Sequence, residues 1–183
     1  MKKALVAVLT VITVLIFFVD AGAKDTDCEQ TKETVQTATL TVLEEPVEQP
    51  IYFDIPLAHA VQDHIFAECE KRNIAPTVIV AMIYQESKFN TYALGDDGRS
   101  AGLMQIQSKW HLQRMIDLNC TDLFNPYQNI TIGVDILSEQ LKRYGGDMAK
   151  ALTAYNRGSY SGIVTNYAKE ILKNTEEVKL KYV

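Results

Sequence analysis

The fold turns on "TVIVAMIYQESKFN", Thr77 to Asn90. Its first seven residues are nearly all apolar. Their Val and Ile content suits a buried strand, while Pro76 just before them suits the first turn of a helix, and an apolar run alone does not separate the two. At the far end of this run stands Glu86. A helix C-terminus carries partial negative charge and disfavours a carboxylate, so the arrangement is locally unfavourable, and such departures concentrate at functional sites. Apolar surroundings and a helix C-terminus both disfavour the ionised form and raise the pKa. A carboxylic acid still protonated near neutral pH is what protonation of a glycosidic oxygen requires. Taken alone, Glu86 reads sooner as a solvated glutamate closing a helix, a common feature.

Working outward, "KFNTYALGDDGRSAG" is rich in Gly, Asp, Asn and Ser and reads as a loop. "LMQIQ" reads as one short helical turn, with Ser108 capping the helix "KWHLQRMIDL". Upstream, Leu57, Val61, Ile65 and Cys69 recur every four residues, the apolar stripe of a helix. Downstream, "NPYQNITIGVDILSEQLKRYGG" is the clearest helix. Asn125 caps it, Pro126 opens it, Ile130, Val134, Leu137 and Leu141 form its stripe, and Lys142 and Arg143 suit its last turn before Gly145. "DMAKALTAYNRG" repeats the pattern, with Asp147 as cap and Gly158 as stop. A last helix runs through "GIVTNYAKEILKN" and buries Ile163, Tyr167 and Ile171. No strand-turn-strand alternation appears after Ile51, so the domain is mostly α.

The N-terminus is of another kind. "MKK" precedes 16 apolar or Thr residues, Ala4 to Val19, and "DAGAK" supplies Ala21 and Ala23 for cleavage. Residues 1–23 read as a signal peptide, with an uncleaved membrane anchor as the alternative, so the chain is expected to be exported: periplasmic, wall-associated or extracellular. Residues 24–50, rich in Thr, Glu and Gln and closed by Pro46 and Pro50, read as a linker to a domain over 51–183. The 183-residue chain is 47% hydrophobic and 22% charged, a globular composition with a net charge of −5. An acidic chain without basic clusters is a poor partner for nucleic acid or anionic lipid. Export permits a disulfide between Cys69 and Cys120, and two buried free thiols fit equally well; Cys28 is odd. No Cys/His spacing suggests a metal, no cofactor is expected, and His59, His64 and His111 read as solvated surface.

"ESKFNTYA" (Glu86 to Ala93), "GLMQI" (Gly102 to Ile106) and "AYNRG" (Ala154 to Gly158) resemble, in order, the three signature blocks of soluble lytic transglycosylases. The catalytic domain of that family is similar to goose-type lysozyme. "NPYQNITIGVDIL" matches the family's helix between the second and third blocks, and the resemblance spans roughly residues 55–173. It implies a lysozyme-like helical fold, and it settles "TVIVAMIY" as the helix that carries the catalytic glutamate. By the same resemblance Glu86 is the single catalytic acid/base and Ser87 borders the substrate groove. Gly102, Leu103, Met104 and Gln105 line the saccharide site, with Met104 and Gln105 facing the sugars. Tyr155 contacts the catalytic carboxyl through its hydroxyl, and Asn156 supports that loop. Arg99, Ser100 and Arg157 depart from the family pattern and bear on substrate preference.

The implied reaction cleaves the bond between N-acetylmuramic acid and N-acetylglucosamine in peptidoglycan. A glycosidase normally needs two carboxylates. In this family one glutamate protonates the glycosidic oxygen and then deprotonates the sugar's own 6-hydroxyl, closing a 1,6-anhydro ring. A rival is hydrolysis, with Asp96 or Asp97 positioning water, although turn chemistry also explains both aspartates. A non-catalytic wall-binding module is a further rival, against which the Glu86, Gln105 and Tyr155 set argues. Such a domain suits remodelling of the host wall, a phage, or a wall-spanning secretion or conjugation apparatus.

Overall fold

Local chemistry starts and stops the helices. A computed structural model of the protein describes residues 51–178 and 180–182, so the signal-peptide and linker readings lie outside the described residues. Strand β1 (Ile51–Phe53) leads into α1 (His59–Arg72), where Val61, Ile65 and Cys69 are buried as the four-residue spacing requires, with Leu57 buried just ahead of them. Helix α2 (Pro76–Ser87) begins on Pro76 and ends where Lys88 turns left-handed at φ 53°. Every residue from Val78 to Ile83 is buried, so α2 is apolar all round and forms the centre of the core.

The loop after α2 holds a two-residue hairpin, β2 (Leu94–Gly95) and β3 (Ser100–Ala101), closed by a 3-10 turn over Asp96–Gly98. The expected helical turn at "LMQIQ" is not a helix. Ala101 and Ile106 exchange backbone hydrogen bonds at 3.0 Å in both directions, which folds the segment into a tight bridge. Helix α3 (Ser108–Asp117) follows. Ser108 is its first residue rather than its cap, and the cap position falls on Gln107, which makes no side-chain capping bond.

Helix α4 (Pro126–Arg143) matches its sequence signals. Asn125 Oδ1 accepts from the Tyr127 and Gln128 amides at 3.0 and 3.2 Å, and Pro126 fills the first turn. Helix α5 (Met148–Arg157) is capped by Asp147, which accepts from Lys150 N at 3.0 Å, and stops at Gly158. Helix α6 (Asn166–Glu177) is capped by Thr165. Its buried side includes Ala168 and Ile171, but Ile163 precedes the helix and is 73% exposed, contrary to expectation. Strand β4 (Leu180–Tyr182) pairs antiparallel with β1, joining the two ends of the domain. Three-residue strands are too short to show alternation, which is why they escape a sequence reading.

The helices pack as α1 on α4, α4 on α5, α5 on α6 and α6 on α2. Helix α3 differs, for none of its residues is buried; half-buried Met115, and Leu118 just past its end, touch the core. Its main tie is Arg114, which donates to Asp135 at 2.8 Å and pairs with Glu139, both on α4. Cys69 and Cys120 are buried free thiols, and burial with the nearby Glu68 charge pushes the Cys69 thiol up to about 12. Two histidines are more engaged than expected of solvated surface. His64 bonds Thr131 Oγ1 at 2.9 Å and Tyr127 O at 3.0 Å, linking α1 to α4, and half-buried His111 bonds Arg114 at 2.9 Å. His59 is exposed and stacks on Tyr52.

Candidate active site

Glu86 lies in the last turn of α2, where the buried helix reaches an open cleft of about 1190 Å³. One wall is the β2–β3 hairpin and the loop after it, with Gly95, Asp96, Ser100 and Gln105. Another is the end of α5, Ala154 to Gly158, and the rest comes from α3 and α4. Burial pushes the Glu86 carboxyl up from its ordinary 4.5 to about 7. The negative charge of Asp96 pushes the same way, and a hydrogen bond from Tyr167 opposes both. The carboxyl is therefore divided between acid and carboxylate at neutral pH.

The tyrosine on the carboxyl is not the expected one. Tyr167, in the first turn of α6, donates its hydroxyl to Glu86 Oε1 at 2.5 Å. Packing of α6 against α2 brings together two residues 81 positions apart. Burial and the adjacent Glu86 hold the Tyr167 phenol far above its ordinary pKa, so it remains a donor. Tyr155 lines the cleft, but its hydroxyl donates to the Met104 carbonyl at 2.9 Å. It supports the 102–106 loop instead of touching the carboxyl.

That loop also corrects the expectation for Leu103 and Met104. Both side chains are fully buried and belong to the core, not to a sugar-facing surface. Met104 packs on α4 so closely that a Cβ at Gly133 would lie 2.3 Å from its sulfur. Gly102 adopts φ +79°, and a Cβ there would stand 2.2 Å from Leu123 O and 2.3 Å from Asn129 Nδ2, so only glycine fits. Gln105 lines the cleft, yet its Nε2 donates to Ala93 O and Gly102 O at 3.1 and 2.9 Å, locking the loop. Ser87 is buried and donates back to Ile83 O at 3.0 Å, so it finishes α2 and does not line the cleft. Asn156 lines the cleft and is exposed.

Two contributors escaped the sequence reading. Tyr167 was visible only as an apolar position of the last helix. Asn129, fully buried on α4, clamps the loop with three bonds: Oδ1 accepts from Met104 N at 2.8 Å, and Nδ2 donates to Ala101 O and Leu123 O at 2.9 and 2.8 Å. A polar residue on the buried face of an otherwise apolar stripe was its one available signal.

The two loop aspartates separate. Asp96, left-handed at φ 51°, lies in the cleft wall, where Oδ2 accepts from Ser100 Oγ at 2.5 Å and Gln107 Nε2 at 3.0 Å. The Ser100 bond first, then Gln107 and the Arg99 charge, hold its carboxyl below the usual range, so Asp96 is ionised beside Glu86. The Asp97 side chain is 98% exposed and faces Arg99 at 3.6 Å.

The sequence that builds this helical frame and its cleft matches known proteins. Residues 63–176 match the family model of the transglycosylase SLT domain. The chain belongs to that family. It is a lytic transglycosylase domain with a lysozyme-like helical fold. Invasion protein IagB of Salmonella typhimurium is 34% identical over 116 residues, 58% of this chain and 71% of that protein. The transglycosylase of Enterobacteria phage PRD1 is 30% identical over 114 residues, 60% of this chain and 41% of the phage protein. An inactive mutant of the lytic transglycosylase Slt from Pseudomonas aeruginosa superposes with a TM-score of 0.55 at 21% identity. That match covers 66% of this chain and 24% of the Pseudomonas chain.

Proposed function

We propose that this lytic transglycosylase cleaves the β-1,4 bond between N-acetylmuramic acid and N-acetylglucosamine in peptidoglycan, using Glu86 alone as acid and then base. The observation that carries the reading is the Glu86 carboxyl at the cleft floor, raised to about 7 and bound by Tyr167 at one oxygen. Tyr167 occupies Oε1, so Oε2 carries the transferable proton. Glu86 gives that proton to the glycosidic oxygen as the C–O bond breaks, and the muramyl 2-acetamido group stabilises the cationic carbon. The carboxylate then takes the proton from the 6-hydroxyl as O6 bonds to that carbon. The 1,6-anhydro ring closes, and no water is consumed. The nucleophile belongs to the substrate, so proximity replaces a positioned water.

Hydrolysis is the second reading, and Asp96 is the observation that favours it: an ionised carboxylate sharing the cleft with Glu86 is the second group a glycosidase would use. Mass spectrometry of muropeptides released from purified peptidoglycan tests the two. Ring closure yields products about 18 mass units lighter than water addition does, since no water is added. Products with ordinary reducing ends, lost in Asp96→Asn, would establish hydrolysis and refute the single-carboxyl mechanism. The peptidoglycan reading also calls for export, with residues 1–23 removed and the mature chain starting near Lys24. N-terminal sequencing of the exported protein would show Met1 or Lys2 if the segment is retained as an anchor.

A further inference from the structure

Trp110 is the one tryptophan of the chain, and it gives the fold little. It sits in the first turn of α3, the helix without a buried residue, and is 69% exposed. Single exposed apolar side chains are ordinary, and Tyr92, Leu94, Leu112, Ile116 and Ile163 are others here. Among the exposed large apolar side chains of the described residues, only Trp110 lines the cleft that holds Glu86.

Its ring is also held. The indole Nε1 donates to Gln107 Oε1 at 3.1 Å, and the Lys109 ammonium sits over the ring, 4.8 Å from its centroid. Gln107 Nε2 in turn donates to Asp96 Oδ2 at 3.0 Å and Ser100 Oγ at 3.1 Å. The turn that places Asp96 near Glu86 thus also orients the indole. Around it the cleft is lined by amides, carboxylates and guanidiniums, including Gln113, Asp117 and Arg114. A pyranose has the matching character, with an apolar face of C–H groups and a rim of hydroxyl and amide groups. Flat aromatic rings with a bonded polar edge are well suited to such amphipathic partners.

We propose that Trp110 is a sugar-stacking platform, taking the C–H face of an N-acetylhexosamine ring of the glycan strand in a subsite outside the bond-breaking position. Gln107 is its positioning residue. The assignment rests on the glycan-cleaving reading for its substrate class, but the binding arm of its test needs no turnover. Because Trp110 is the sole tryptophan, intrinsic emission reports on this subsite alone.

Titration of the full mature protein with a β-1,4-linked N-acetylglucosamine hexamer should give a saturable change in tryptophan emission. On soluble glycan strands Trp110→Ala should raise KM about tenfold with kcat nearly unchanged, while Trp110→Phe retains most of the affinity. Gln107→Ala, which frees the indole edge, should give an intermediate KM. Emission unmoved by the hexamer, or an unchanged KM in Trp110→Ala, overturns the assignment. An emission change in a wild-type protein that leaves peptidoglycan uncut would instead refute the proposed reaction and leave the sugar platform standing.

Discussion

Glu86→Gln separates the role of the carboxyl in the reaction from its cost to the fold. Glutamine keeps the shape and still accepts the Tyr167 hydroxyl, but it can neither give nor take a proton. In the folded protein the carboxyl titrates near 7 against an ordinary 4.5. The unfolded chain therefore releases its proton from pH 4.5 upward, while the folded protein holds it until about 7. Stability is fully present below the lower value, falls as pH rises between the two, and levels off above the higher. The difference corresponds to about 3 kcal/mol once both states are ionised. Glutamine has no such cost. Urea unfolding of wild type and Glu86→Gln at pH 8 should show the variant more stable by about 3 kcal/mol, and at pH 4 the two should nearly coincide, with the same slope throughout. Other titrating groups are common to both proteins and cancel. Cleavage of peptidoglycan should be negligible in the variant at either pH. A stability difference that does not change between pH 4 and pH 8 would mean that Glu86 is not held in a desolvated site, and the argument for a neutral-pH acid would fail with it.

The remaining predictions concern the groups around that carboxyl. Tyr167→Phe removes a bond that favours the ionised form, so the alkaline limb of the pH–kcat/KM profile should move upward, with turnover falling about tenfold, or ~1.4 kcal/mol. Tyr155→Phe loses only its bond to Met104 O; it should cost about 1 kcal/mol in urea unfolding and leave that limb in place. Asp96→Asn removes a negative charge that raises Glu86, so its alkaline limb should shift downward, whereas Asp97→Asn, exposed on the surface, should shift nothing. Asn129→Ala strands the buried Met104 amide and the Leu123 carbonyl and leaves Ala101 O with its bond from Ile106 N alone, and should destabilise the protein by about 3 kcal/mol in the same unfolding assay.

Much of the architecture is written in short-range chemistry. Pro76, the Asn125–Pro126 pair, Asp147 and Gly158 set helix ends where they do because capping and proline geometry act within a turn. Glu86 stands out for the same local reason, a carboxylate at the end of an apolar helix. Family resemblance located the loop blocks, but block membership does not say which way a side chain turns. Leu103 and Met104 turn into the core because Gly102 and Gly133 let the loop lie against α4, and Asn129 holds it there. Whether Asp96 or Asp97 faces the cleft depends on two consecutive left-handed residues and on Ser100 and Gln107 as partners, which no spacing shows. Tyr167 is the clearest case. Its period placed it on the inward face of α6, and an inward face is ordinarily only core. The packing of α6 on α2 decides that this stretch of the face meets the last turn of α2 at the cleft floor. A contact across 81 residues is fixed by how two helices pack, a property of the assembled core that neither helix carries in its own sequence.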